Sequence, residues 1–342
     1  MSIKETVDSA ASRPIAALGV SGTRALLGFV GLMYYLSHYS DRHYLFGPGA
    51  DSVLPHRLFV EYVQEKKSFS LYAWNTSEVW FETLFHLGLL AALAVTVGVG
   101  GRAILAAHGI LLWSIYERQS ALIDGGDNLA QLVIPMLLLT NCYQHFSISS
   151  GFAHRLLGRL PGSVRSLGVP LHNLGVAAIA VQMCLVYVVS GLYKVQGEAW
   201  QDGTALFYIM RVPEFELPGL SSLVYNNDLL VFLGTYGTTL FLVYFPLGIL
   251  VPALRPWTAI ASIAFHVSIG VFMGLTAFAL TMVACDLIFL SPALSRAGQA
   301  ARTIGKRWTQ RRAESFHPTV AEPSLTERDN QVEAPVLQTG NQ

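Results

Sequence analysis

Long apolar runs separated by short polar stretches set the pattern of this chain. The candidate spans, in order, are 18–36, 79–99, 104–116, 129–143, 174–194, 229–250 and 257–290. A helix needs about 20 apolar residues to cross a bilayer, so the third and fourth runs must extend into their polar flanks. The last run is too long for one crossing at about 1.5 Å per residue. Gly270 and Gly274 near its middle divide it into two shorter or broken helices. The pattern predicts an all-α integral membrane protein, a polytopic bundle of about eight transmembrane helices.

Polar positions outside these runs set the boundaries. A cytoplasmic N-terminal segment, 1–17, precedes a transmembrane domain over 18–291, and 292–342 reads as a basic and then disordered cytoplasmic tail. Between the first and second spans, the loop 39–77 mixes charges with Tyr44, Phe46, Phe59, Tyr62, Phe69, Tyr72 and Trp74. That is long for a connection and predicts an extracytoplasmic cap of short interfacial helices. The N-terminus has no basic segment leading into a short apolar core, so the first apolar run is expected to be retained.

Composition supports the membrane class: 52% of residues are hydrophobic and 13% charged, against about 25% charged in soluble domains. Formal net charge is zero, and no basic footprint of a nucleic-acid binder stands out. Cys142, Cys184 and Cys285 lie in apolar runs at unrelated spacings, which fits packing rather than a disulfide framework or a zinc motif.

Basic residues orient the chain. With Lys4, Arg13 and Arg24 in the cytoplasm, an even number of spans puts Arg102, Arg155, Arg159, Arg165 and Arg255 on the same side. Arg296, Arg302, Lys306, Arg307, Arg311 and Arg312 follow them there. Asp124, Asp127, Glu198, Asp202, Glu214, Glu216 and Asp228 fall on the other face. The expected location is the plasma or inner membrane, with both termini cytoplasmic and Lys194 near the outer surface.

Ionisable residues inside the spans are few and costly in lipid, at about 2.5 to 3.5 kcal/mol each on insertion scales. Glu78, Glu82 and His86 share one face of the second span, which should point into the bundle, as should His108, His266 and Asp286. Glu82 and His86 carry metal-type side chains four apart, but no third ligand is assignable and a hydrogen-bonded pair fits better; no metal is predicted. In the fifth span Tyr187, Ser190, Gly191 and Lys194 fall on one helical stripe ending in an amine. Glu198, Trp200 and Asp202 follow it. In the segment IDGGDNL, Asp127 and Asn128 are candidate caps for a helix starting at Leu129; capping alone accounts for one of the acids Asp124 and Asp127, not both.

The segment 186–206, VYVVSGLYKVQGEAWQDGTAL, preceded by ERQSALIDGGDNL and followed by FHVSIGVFMGLTAFALTM, resembles the horizontally transferred transmembrane (HTTM) family. That family is distantly related to vitamin K-dependent gamma-carboxylases. The resemblance runs from about Ser12 to Leu290 and is sharpest at Gly191-Leu192-X-Lys194 and Trp200-X-X-Gly203. It implies that Lys194 is a general base for a reduced menaquinone or vitamin K hydroquinone reaching the site from the bilayer. Asp127 and His266 would join the catalytic set; Tyr187, Asp124, Trp200, Asp202, Glu82 and His86 would bind substrate.

Two departures narrow that expectation. The tail leaves no room for the large lumenal domain of the carboxylases, and Gly126 or Asp127 stands where they have a functional histidine. Protein gamma-carboxylation is therefore not expected. The resemblance implies a quinol-linked oxygenase or carboxylase-like enzyme on a small or lipidic substrate. The alternative is a non-catalytic accessory factor for maturation or export of a secreted peptide. Transport is disfavoured, because no inverted repeat or pair of broken mid-membrane helices is found.

Overall fold

The computed structural model describes residues 13–49, 54–148 and 167–315, and among these every regular element is helical. In chain order they are α1 (Ala17–Ser37), α2 (Arg42–Leu45), α3 (His56–Glu65), α4 (Glu78–Val97), α5 (Gly101–Arg118) and α6 (Gly125–Leu139). Then come α7 (Gly168–Val195), the short α8 (Glu198–Gln201), α9 (Ala205–Ile209) and α10 (Ser221–Tyr225), and α11 (Asp228–Leu250), α12 (Arg255–Met273) and α13 (Thr276–Ser315). Arg155, Arg159, Arg165, Lys4 and the stretch beyond Ser315 fall outside the described residues.

Six of these helices are long and apolar enough to cross a membrane: α1, α4, α7, α11, α12 and the first half of α13. The shorter α6 is also apolar, and α5 keeps its charges at its two ends, Arg102 and Glu117–Arg118. The long last run divides at Gly274, whose φ of +71° ends α12 in the left-handed region that glycine reaches without strain. Contacts separate a unit ending at Ser295 from a second one beginning at Arg296. Within the first, α1 packs along α4, α7 packs along α11, and α6 touches α1, α5 and α7.

Arg24 corrects the expectation of a cytoplasmic loop charge. It lies inside α1 with none of its surface exposed. Its guanidinium donates to five backbone carbonyls: Nε to Cys142 O at 3.1 Å, Nη1 to Val95 O and to Thr96 O at 3.3 Å, and Nη2 to His145 O at 3.4 Å and Phe146 O at 2.5 Å. A helix leaves its last four carbonyls without intrahelical donors, and Val95 and Thr96 belong to that group in α4. One side chain thus closes the end of α4, the turn after α6, and α1 together. The planar fork with its five N–H donors is what allows this; a lysine has three on one atom.

The 39–77 stretch lies over the ends of α4 and α5. Arg118, buried against the Phe59 ring at 4.9 Å, donates to Phe46 O at 3.1 Å and Gly47 O at 3.3 Å. Lys66 Nζ meets the buried Glu117 at 2.8 Å, and Ser70 and Ser114 exchange hydrogen bonds with each other's segments. The indole N–H groups of Trp80 and Trp113 donate to Leu71 O and Phe69 O.

Arg24→Gln is expected to cost about 3 kcal/mol, since several buried acceptors lose a charged donor at once, with Arg24→Lys recovering little. Thermal unfolding of the solubilised chain measures both. The Glu117 hydrogen bond raises the Lys66 ammonium above its usual pKa. A raised folded value gives stability that is complete below the unfolded pKa and lost as pH rises through the folded one. The thermal midpoint should therefore fall in the alkaline range, and Lys66→Met should flatten that fall.

Candidate functional site

The predicted site residues divide into four groups. At the C-terminal end of α7, Lys194 lies in the last helical turn, and Gly197 leads into α8, which carries Trp200. The Lys194 Nζ lies 5.0 Å from the Trp200 ring centroid, a cation–π geometry. No carboxylate of the described residues pairs with it, and Asp202 is exposed.

Two turns back along α7, Tyr187 is fully buried and stacked on Phe245 of α11, with centroids 3.8 Å apart and planes 7° from parallel. Its hydroxyl bonds Ser262 of α12 and stands 3.3 Å from both carboxylate oxygens of Asp286 on α13. Ser262 Oγ donates to Asp286 Oδ2 at 2.5 Å. His266, one turn after Ser262, has Nδ1 2.9 Å from Ser262 O, 3.4 Å from the Tyr187 hydroxyl and 3.6 Å from Asp286 Oδ2. Four polar side chains from three helices thus meet inside the apolar bundle, all buried.

Sequence reasoning named Tyr187 and His266 but placed neither Ser262 nor Asp286 in the site. Asp286 had a signal, as an acid in an otherwise apolar stretch of α13. Ser262 had only its four-residue spacing from His266.

At α6 the reading of the acids is corrected. The helix starts at Gly125 with Asp124 as its cap, and both carboxylates are engaged. Asp124 accepts from Gly126 N at 2.6 Å and Asp127 N at 3.0 Å, while Asp127 Oδ2 accepts from Asp124 N at 3.0 Å. This reciprocal capping box is extended by Tyr116, whose hydroxyl donates to Asp127 Oδ1 at 2.6 Å. Gly126 is needed for close approach: a Cβ there would stand 2.9 Å from the Phe278 Cα on α13. Phe278 in turn lies 6.0 Å from the His266 ring, so the capped end of α6 borders the buried quartet.

The Glu82 and His86 pair belongs to the rim instead of the bundle interior. Glu82 takes Arg42 Nη2 at 3.0 Å, His43 Nε2 at 2.7 Å and His86 Nδ1 at 3.1 Å, and His86 Nε2 meets the Tyr39 hydroxyl at 3.1 Å. Glu78 is 73% exposed, so this face does not point inward as expected. Lying in the first two turns of α4, these charges are met by partners from the cap.

A groove of about 250 Å³ opens between α5 and α6, lined by Phe69, Trp113, Gln131, Pro135 and other apolar residues. Neither Lys194 nor His266 lines it.

The HTTM domain matches residues 54–293. The chain belongs to the HTTM family. It is 24% identical over 279 residues to the Sporulation-delaying protein SdpB of Bacillus subtilis (strain 168), covering 79% of this chain and 80% of that protein. A second relative from the same organism, the Uncharacterized protein YitO, is 25% identical over 240 residues, covering 66% of this chain and 73% of that one. No solved structure matches. The HTTM match includes Lys194 and the whole buried quartet, while α1, with Arg24, lies before it.

The Tyr116–Asp127 bond and the capping box are expected to act as one unit. Tyr116→Phe and Asp127→Ala should each cost about 1 to 2 kcal/mol, and the double variant less than their sum. A double-mutant cycle on thermal unfolding measures the coupling.

Proposed function

We propose that this HTTM chain is a membrane-embedded maturation factor for a secreted peptide, and that Lys194 is its general base. The carrying observation is the Lys194 amine at the outer end of α7, resting on Trp200 with no carboxylate of the described residues paired to it. A lysine used only as a membrane anchor extends its ammonium into water. Lys194 is instead partly buried against an aromatic face, where its lone pair is available to a substrate once the ammonium has lost its proton. The relative SdpB is named a sporulation-delaying protein, and a factor that prepares such an activity agrees with this reading.

In this reading Lys194 removes a proton from the substrate at the outer membrane surface, Trp200 holds the amine in place, and Asp202 lies at the exposed edge to meet cationic or amide groups. The expected reduced menaquinone or vitamin K hydroquinone would need a slot beside the amine. The groove between α5 and α6 has no basic side chain in its lining. Neither Lys194 nor Trp200 lines that groove, and no step of this mechanism runs through a quinol.

A second reading, a non-catalytic accessory factor, is favoured by the structural engagement of Asp124 and Asp127, which leaves neither carboxylate free. The two readings separate at Lys194. Host cells deleted for this chain would be complemented with wild type, Lys194→Ala or Lys194→Arg, and their secreted peptides compared by mass spectrometry. A change in peptide mass made by wild type and by neither variant supports the base. Unchanged peptide mass, with export lost on deletion and restored by Lys194→Arg, supports the accessory factor.

A further inference from the structure

The buried quartet has a proton inventory that its two hydroxyls cannot complete. Asp286 Oδ2, Ser262 Oγ and the Tyr187 hydroxyl form a closed triangle: Ser262 to Asp286 at 2.5 Å, Tyr187 to Asp286 at 3.3 Å, and Tyr187 bonded to Ser262. With one hydrogen on each edge the triangle takes three, and the serine and tyrosine supply two. His266 does not supply the third. Its Nδ1 lies 2.9 Å from the Ser262 carbonyl, which can only accept, so Nδ1 carries a hydrogen and directs it there. At 3.6 Å from Asp286 Oδ2 the same nitrogen is beyond hydrogen-bond reach.

Among the described residues, the cation nearest Asp286 would be a protonated His266, and its Nδ1 hydrogen is directed to the Ser262 carbonyl, with Asp286 Oδ2 3.6 Å away. No lysine or arginine of the described residues pairs with Asp286. From α11 the neighbours are the Phe241 and Phe245 rings, from α13 Cys285 stands next in the chain, and Phe278 separates His266 from the cap of α6. An ionised Asp286 would leave a fully buried carboxylate among membrane-spanning helices with no cation in hydrogen-bond reach, which is costly. A carboxyl hydrogen donated from Asp286 to the Tyr187 hydroxyl, with Tyr187 donating to Ser262 and Ser262 to Asp286, completes the triangle and leaves the site neutral.

We propose that Tyr187, Ser262 and Asp286 form a proton-binding site inside the membrane domain, with His266 packed beside it. The ligand is a single proton, held between α7, α12 and α13. The site gives the chain a place to store or deliver one hydrogen ion during its work, whatever the role of Lys194. Simple interhelical adhesion, the competing account, requires no carboxyl hydrogen.

The full chain in zwitterionic lipid nanodiscs near neutral pH provides the test, through the infrared difference between wild type and Asp286→Asn. The expected result is a carboxylic-acid C=O band present in wild type and completely lost in Asp286→Asn. It should shift in Ser262→Ala and Tyr187→Phe, which each remove one donor, and persist in Asp127→Asn. If Asp286→Asn does not assemble, the Ser262→Ala shift carries the same test in a chain that retains Asp286. A difference spectrum with carboxylate bands only, or a carboxylic-acid band indifferent to Ser262 and Tyr187, overturns the proposal.

Discussion

A guanidinium sealed inside a helical bundle has to find an acceptor for every N–H it carries, and Arg24 finds them all on backbone. Its carbonyl partners come from the end of α4 and from the turn that follows α6, two places where helix geometry leaves oxygens without donors. In water such groups would be solvated at little cost. In a membrane bundle they are not, so a single side chain in α1 fixes the mutual placement of three segments far apart in sequence. The rest follows from that placement: α1 also holds α13, through Gly19 N to Ser291 Oγ at 3.1 Å and Thr23 Oγ1 to Ala284 O at 2.7 Å. The helix carrying Asp286 is thereby held in the bundle.

The HTTM match begins at residue 54, after α1 has ended. Yet α1 is not an appendage. It supplies Arg24, packs along α4, and places Tyr34 edge-on to Tyr116 at 4.8 Å, beside the hydroxyl that holds Asp127. The 39–77 stretch works in the same sense, because Arg118 and Glu117 at the end of α5 are satisfied by its residues. In both places buried charge is resolved by chain outside the local helix.

Hydrophobic runs made the helices legible, and the glycine at position 274 made the break in the last run legible, because both are local properties of the chain. What sequence reading missed was pairing across helices. Arg24 looks the same in sequence whether it faces a loop or a carbonyl cluster, and only the position of residues 142–146 decides. Asp124 and Asp127 were read with one acid left over because a one-sided cap uses one carboxylate; the reciprocal box uses two, and Tyr116 takes the other oxygen of Asp127. Ser262 is one serine among many until Tyr187 and Asp286 arrive from helices α7 and α13. The Glu82 face was assigned inward by cost alone, but its position in the first two turns of α4 lets Arg42 and His43 reach it from the cap.

The arrangement along α7 separates two kinds of polar environment on one helix. Its C-terminal end carries an amine on an aromatic support, and two turns earlier the same helix enters a buried polar cluster. Seven residues on a helix correspond to about 10 Å, too far for Lys194 and the quartet to share a hydrogen bond, so they are distinct in chemistry even though one helix positions both. Gly191 lies between them, where α11 comes so close that a Cβ would stand 2.9 Å from Val243 N. That contact fixes the rotation of α7, and with it the direction in which Tyr187 and Lys194 leave the helix. A side chain larger than hydrogen at position 191 would displace α11 and disturb both polar groups together, though it touches neither.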